Sequence, residues 1–257
     1  MTGKTHSAAV RRTPPGAGPL IATLLALGWA LTGCPSFEHE ISSVKTYTPP
    51  SGYTVSGRAI VEADFETTWR QLEQGAETAP FRLTVSQKQS RFAVVELDVE
   101  ASGRPLADFA DCGRLERQVV QDGESTVFSY ALVEAANDRI VIPEDDHFEI
   151  RDLDRRPSLT IRTTVFLRPE GPGQTRVTLN ARYGLRVDTS GERRQLPRRR
   201  GTEAPPPEAF GPVRLEIRFT SFEEGVAPGT DELRCRATGV VEDWLLAIVR
   251  GDDRSEP

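Results

Sequence analysis

Residues 159–187 constrain this chain more than any other stretch. Leu159, Ile161, Thr163, Val165 and Leu167 alternate with Thr160, Arg162, Thr164 and Arg168. After a turn over 169–174, Val177, Leu179, Ala181, Tyr183, Leu185 and Val187 alternate with Thr178, Asn180, Arg182 and Arg186. Successive side chains of a strand point to opposite faces, so a period of two held this long predicts an antiparallel hairpin with one buried face. Arg162 and Arg182 fall on the solvent side. They are candidates for lining a polar groove, and their plainer role is that of solvated strand residues.

Other elements gather around this hairpin. Strands are predicted over 53–63, 81–86, 91–99, 125–133 and 213–219, with shorter ones at 139–142 and 148–151. Phe65, Trp69, Leu72 and Ala76 form one apolar stripe at helical spacing, and Asp64 stands where an N-cap belongs. Val240, Val241, Trp244, Leu245, Ile248 and Val249 give a last helix, over 238–249, a broad apolar face. Residues 101–113 read as a loop. Residues 188–212, rich in Arg and Pro with few apolar side chains, read as a disordered insertion. The order strand, helix, several antiparallel strands, helix predicts an α+β fold, an antiparallel β-sheet packed on amphipathic helices. It resembles the helix-grip fold, in which a curved sheet wraps a C-terminal helix.

The N-terminus carries an address. A basic start with Lys4, Arg11 and Arg12 leads into an apolar run over 20–31 and then Leu31-Thr32-Gly33-Cys34. The run is too short to span a bilayer, which takes roughly twenty residues, and prolines flank it. The order is that of an export signal, and the last four residues resemble the lipobox of bacterial lipoproteins. That resemblance implies a signal peptide over 1–33, cleavage before Cys34, and lipidation of Cys34 (acyl chains such as palmitate) as the only membrane attachment. Residues 34–52, polar and ending in Pro49-Pro50-Ser51-Gly52, read as a flexible, disordered tether. A single domain over 53–251 and a polar tail over 252–257 complete the organisation. No Asp follows Cys34 directly, which leans the expected location toward the periplasmic side of the outer membrane.

Residues 1–33 hold three basic and no acidic residues, so the mature chain has 29 basic against 38 acidic residues, a net of about −9. That balance argues against nucleic acid as a partner. Cys112 and Cys235 remain once Cys34 is acylated. In an oxidising compartment they are expected to form a disulfide, the alternative being two separate buried thiols.

Three stretches carry a wider resemblance: the lipobox, the strand-to-helix run 53–69 with its aromatics, and Asp111-Cys112-Gly113 together with Cys235-Arg236-Ala237-Thr238-Gly239-Val240-Val241-Glu242. Together they resemble bacterial lipoproteins with a helix-grip domain, distantly similar to the BamC lipoproteins of outer-membrane β-barrel assembly.

No catalytic, cofactor or metal residues are assigned. His147, within Glu144-Asp145-Asp146-His147-Phe148-Glu149, lacks the spacing of a metal loop and reads as part of an acidic turn. Cys112 beside Asp111 has a disulfide partner available and no adjacent base. The arginines between Arg193 and Arg200 read as a solvated loop, with anionic lipid headgroups as the sharper alternative. The expected function is that of a non-enzymatic, lipid-anchored binding module for an envelope protein or component. The second reading is a carrier of a small apolar ligand or lipid in a cavity between the sheet and Trp244.

Overall fold

A computed structural model describes residues 38–52, 54–77, 80–229 and 232–252. The export signal, Cys34, the beginning of the expected tether and the end of the polar tail lie outside the described residues. Strands are β1 (Ile41–Thr48), β2 (Arg58–Val61), β3 (Phe81–Gln87), β4 (Phe92–Leu97), β5 (Ala110–Asp111), β6 (Arg114–Gln121), β7 (Glu124–Ala131), β8 (Ala136–Pro143), β9 (His147–Gly171), β10 (Gln174–Pro197), β11 (Glu208–Thr220), β12 (Gly225–Val226) and β13 (Arg234–Ala237). Helices are α1 (Phe65–Ala76) and α2 (Val240–Arg250), with a short 3-10 turn at Leu106–Asp108.

The expected hairpin is present and much longer than its apolar alternation. β9 and β10 pair without interruption from Thr175↔Pro169 to Pro197↔His147. At about 3.4 Å per residue the ribbon runs roughly 80 Å. β4 and β8 pair with separate parts of β9's free edge, while β11 and β2 pair with β10, and β3 closes the far side on β4. A second sheet has the order β1-β6-β7, and a third, β12-β13-β5, lies around the cysteines.

The two helices form where the apolar stripes place them. Asp64 Oδ1 accepts from the Thr67 amide at 2.8 Å, the predicted N-cap. Gly251, at φ 72°, ends α2 in the left-handed conformation that favours glycine. Trp69, Leu72 and Ala76 of α1 and Val241, Leu245 and Val249 of α2 are buried in one core with the odd-numbered side chains from Leu159 to Val187. Burial of each such Leu or Val contributes about 1.5–3 kcal/mol. The helices approach closely because Gly75 leaves room for the Ile248 side chain.

The α+β, helix-grip expectation is overturned. Among the described residues the chain is predominantly antiparallel β-sheet, and the two helices supply only 12 and 11 residues. They pack beside Leu159 to Val187, while the β9–β10 pairing continues to His147 and Pro197. The excess of strand comes from segments read as tether, loop or disorder. Residues 41–48 of the expected flexible tether form β1, fully paired with β6 from Ile41↔Gln121 to Thr48↔Arg114. Much of the expected disordered insertion at 188–212 continues β10 to Pro197 and begins β11 at Glu208. Its arginines find partners distant in sequence: Arg193 meets Glu208 at 2.6 Å and Arg194 meets Asp152 at 3.8 Å. Backbone pairing and cross-strand charges hold this part with little apolar burial, which is why composition alone read it as disordered.

The ribbon also changes its buried face. In β9 the odd-numbered Leu159, Ile161, Val165 and Leu167 are buried, whereas near its start the even-numbered Phe148 and Ile150 are. The Arg198 guanidinium lies over the Phe148 ring at 4.6 Å.

Candidate functional site

Opposite the core, the even-numbered side chains of β9 from Thr160 to Arg168 and of β10 from Arg176 to Arg186 lie on the solvent side. The register lines them up in rows across the sheet. Arg82 of β3, Glu96 of β4, Arg162 of β9, Arg182 of β10 and Thr220 of β11 form one row of direct neighbours. Thr160, Gly184 and Arg218 form the next. These residues line an open groove of about 1240 Å³. It extends to Pro157, Ser158 and Leu159, where β9 has passed its last β8 partner, Arg155, and not yet reached its first β4 partner, Ile161. The segment from Asp98 to Ala101 and Glu223–Glu224 line it too, together with apolar side chains that include Phe81, Leu97, Leu106 and Phe219.

Charge in the groove is unevenly matched. Glu96 Oε2 is held by Arg82 at 2.6 Å, and its Oε1 is 3.9 Å from Arg162. Glu224 is engaged by Arg236 at 2.8 Å. Arg182 has no ion-pair or hydrogen-bond partner among the described residues, and its direct cross-strand neighbour is Arg162. Like charges placed directly opposite are destabilising. Gly184 keeps the floor low; a Cβ there would come within 2.9 Å of Thr160 Oγ1. The sequence pattern did place Arg162 and Arg182 on the polar side. That they adjoin is set by the β9–β10 register, and that a groove forms over them depended on β4 and β11 flanking the hairpin.

Cys112 and Cys235 are joined in a disulfide, both buried. β5 and β13 bring them together through Arg236↔Asp111 and Ala237↔Ala110. Tyr47 of β1 secures the same corner: its hydroxyl donates to the Cys112 carbonyl at 3.1 Å and accepts from the Arg234 amide at 3.0 Å. Burial raises its pKa. Gly113, at φ 72°, has no room for a Cβ beneath the Thr48 carbonyl. Asp111 accepts from the Gly113 amide at 2.8 Å and the Ser51 amide at 3.2 Å, so it orders this corner.

Two buried polar networks had no signal in the sequence beyond a tyrosine in each. Glu242, fully buried on α2, accepts from Tyr183 and Ser221. Asp138, also buried, accepts from Arg117 at 3.0 Å and from the Tyr130 hydroxyl at 2.8 Å, while Arg155 stacks on the Tyr130 ring at 4.6 Å. Burial pushes the Tyr130 and Tyr183 phenols up, and the adjacent Asp138 and Glu242 carboxylates push in the same direction.

His147 pairs with its neighbour Asp146 at 2.7 Å, and no group of three or more metal-ligating side chains gathers among the described residues. His39 and Arg200 both reach Asp122, at 2.7 and 2.8 Å. The arginines from 193 to 200 are thus drawn into contacts with Glu208, Asp152, the Glu144 carbonyl and Asp122. Trp244 stacks edge-on against Phe81 at 4.9 Å, and it does not line the groove. No described helix is long and apolar enough to cross a membrane. No protein-family model matches the chain, and no curated protein or solved structure matches it either.

Proposed function

We propose that this chain is a lipid-anchored envelope lipoprotein, held by acylated Cys34, whose folded part is a non-enzymatic binding module. The observation that carries the reading is the groove across the solvent face of the main sheet, built on paired strands and so rigid in shape. The buried polar groups support binding over catalysis. Glu242, Tyr183 and Ser221 face the core, and Cys112 is taken up in the disulfide.

The groove lies well along the ribbon from its open end. Cys34 is four residues before Glu38, which bridges to Arg199 beside the end of β10. From that end, His147, the groove at Ile161 is fourteen residues along β9, roughly 45 Å.

Two experiments test the proposal. Affinity capture of the native protein from membranes, with mass identification, is expected to recover an envelope component; lipid alone with no specific partner would overturn it. A Cys34→Ser protein is expected to leave the membrane fraction, and continued membrane partitioning would overturn the anchor.

A further inference from the structure

Arg162 and Arg182 are direct cross-strand neighbours, and Glu96, the carboxylate beside Arg162, is held by Arg82. Arg218 stands in the next row, on the strand beyond Gly184, with Glu216 3.6 Å away. The two arginines thus stand opposite each other across the ribbon, with Thr160 and Gly184 in the next row, and Arg162 Nε lies 3.9 Å from Glu96 on its other flank. Folding alone gains nothing from this arrangement, because opposed like charges weaken a strand pair. A bound dianion reverses the balance. Each guanidinium presents a planar fork of N–H donors, and a tetrahedral dianion accepts from two forks at once, whereas a planar carboxylate is matched by one.

We propose that the Arg162–Arg182 pair, with Arg218 beside it, is a binding site for a phosphate monoester. The inference rests on the groove being a ligand-binding surface and adds the chemistry of the ligand. Asp98, Glu100, Glu223 and Glu224 also line the groove and disfavour a densely charged polyanion, which limits the ligand to one dianionic group at the arginine pair. The monoester is carried either by a soluble molecule or by a lipid headgroup, and the same side chains serve both.

The test uses the full chain carrying Cys34→Ser, so that no acyl anchor intervenes. Inorganic phosphate is titrated calorimetrically at pH 7.5, and vesicles of phosphatidylcholine with or without phosphatidic acid are tested by flotation. Saturable phosphate binding, or flotation that requires phosphatidic acid, is expected. Phosphate binding without flotation identifies a soluble monoester, and flotation without phosphate binding identifies the headgroup. Arg162→Met and Arg182→Met, which keep the aliphatic stems, are expected to weaken binding about tenfold or more. Arg156→Met, outside the groove, is expected to bind as the parent does. The melting temperature supplies a readout that a purely structural role would move the other way: Arg182→Met is expected to melt no lower than the parent, because a repulsion is removed. Absence of both phosphate binding and phosphatidic-acid flotation, or undiminished binding by both Met variants, would overturn the site. Capture of an envelope partner by a protein that binds no phosphate would refute this inference and leave the proposed function standing.

Discussion

Tyr183 of β10 and Glu242 of α2 meet in the core, the phenol hydroxyl donating to both carboxylate oxygens at 3.1 Å. Ser221 donates to the same carboxylate at 2.6 Å, and its oxygen accepts from the Ala181 amide at 2.9 Å. A charged group in an apolar core is costly unless it is fully hydrogen-bonded. Here three side chains from α2, β10 and the end of β11 satisfy one another. The network therefore fixes where α2 sits on the sheet, a matter that apolar contacts leave looser.

Removing the carboxylate is expected to expose that dependence. Glu242→Ala leaves the Tyr183 hydroxyl buried without an acceptor and Ser221 with only the Ala181 carbonyl at 3.4 Å, and is expected to cost about 3 kcal/mol, read from the urea midpoint. Tyr183→Phe removes a donor with little change of shape and is expected to cost about 1 kcal/mol. Equal stability of Glu242→Ala and the parent would mean that the network is not closed.

Alkaline pH is expected to unfold the protein through its tyrosines. The pKa values of Tyr47, Tyr130 and Tyr183 are all raised, chiefly by burial. Above the ordinary tyrosine value near 10 the unfolded chain loses these protons while the folded one keeps them, so stability is complete below about pH 10 and falls as pH rises further. Absorbance at 295 nm is expected to show these phenols ionising only with unfolding. Titration of all four tyrosines in the folded protein near pH 10 would contradict this.

Acid acts at the other end of the ribbon. The His39 hydrogen bond, the Glu40 amide and Arg200 hold the Asp122 carboxyl down at about 2. A lowered carboxyl stabilises the fold above its unfolded value and loses that contribution as pH falls through the folded one, here between about pH 4 and pH 2. Asp122→Asn keeps a residue suited to φ 51° but carries no charge. Its melting temperature is expected to vary less than the parent's across that window, and an identical pH dependence would remove Asp122 from the account.

The disulfide closes a loop across a sequence separation of 123. In the chain-entropy model that is worth about 5 kcal/mol, so reductant is expected to shift the urea midpoint markedly in the parent and not in a Cys112→Ala/Cys235→Ala protein. Gly113→Ala, with its Cβ against the Thr48 carbonyl at positive φ, is expected to destabilise the same corner without touching the cysteines.

Residues 41–48 provide a direct contrast between a tether and a strand. Tyr47→Ala is expected to cost roughly 2 kcal/mol through lost packing and lost bonds to the Cys112 and Arg234 backbone. A flexible tether would tolerate it without change in the thermal melt.

Legibility in the sequence followed local chemistry. The stripe from Phe65 to Ala76, the Asp64 cap, the Gly251 stop and the period-2 run from Leu159 to Val187 each declare themselves within a dozen or so residues, because each element buries its own regular face. β1 and the far ends of β9 and β10 do not. Ile41 to Thr48 mixes Lys45 and serines with Val44 and Tyr47, and the reason it is a strand is β6, some seventy residues later. Residues near Arg193 lack an apolar face, and their partners Glu208 and Asp152 were invisible to a local reading. The helix-grip expectation failed for the same reason: it weighed two well-marked helices and could not count strands made by distant pairing.

By itself the sequence determined the helices, the central hairpin, the solvent side on which Arg162 and Arg182 stand, and which two cysteines were available to each other. Those depend on periodicity, capping and composition, which are properties of neighbours along the chain. Only the tertiary structure decided that the fold is predominantly β, that Glu242 is buried against Tyr183, and that Arg162 and Arg182 face each other in a groove between β4 and β11. Register and sheet order bring residues far apart in sequence to within a few ångströms, and no local pattern carries that information.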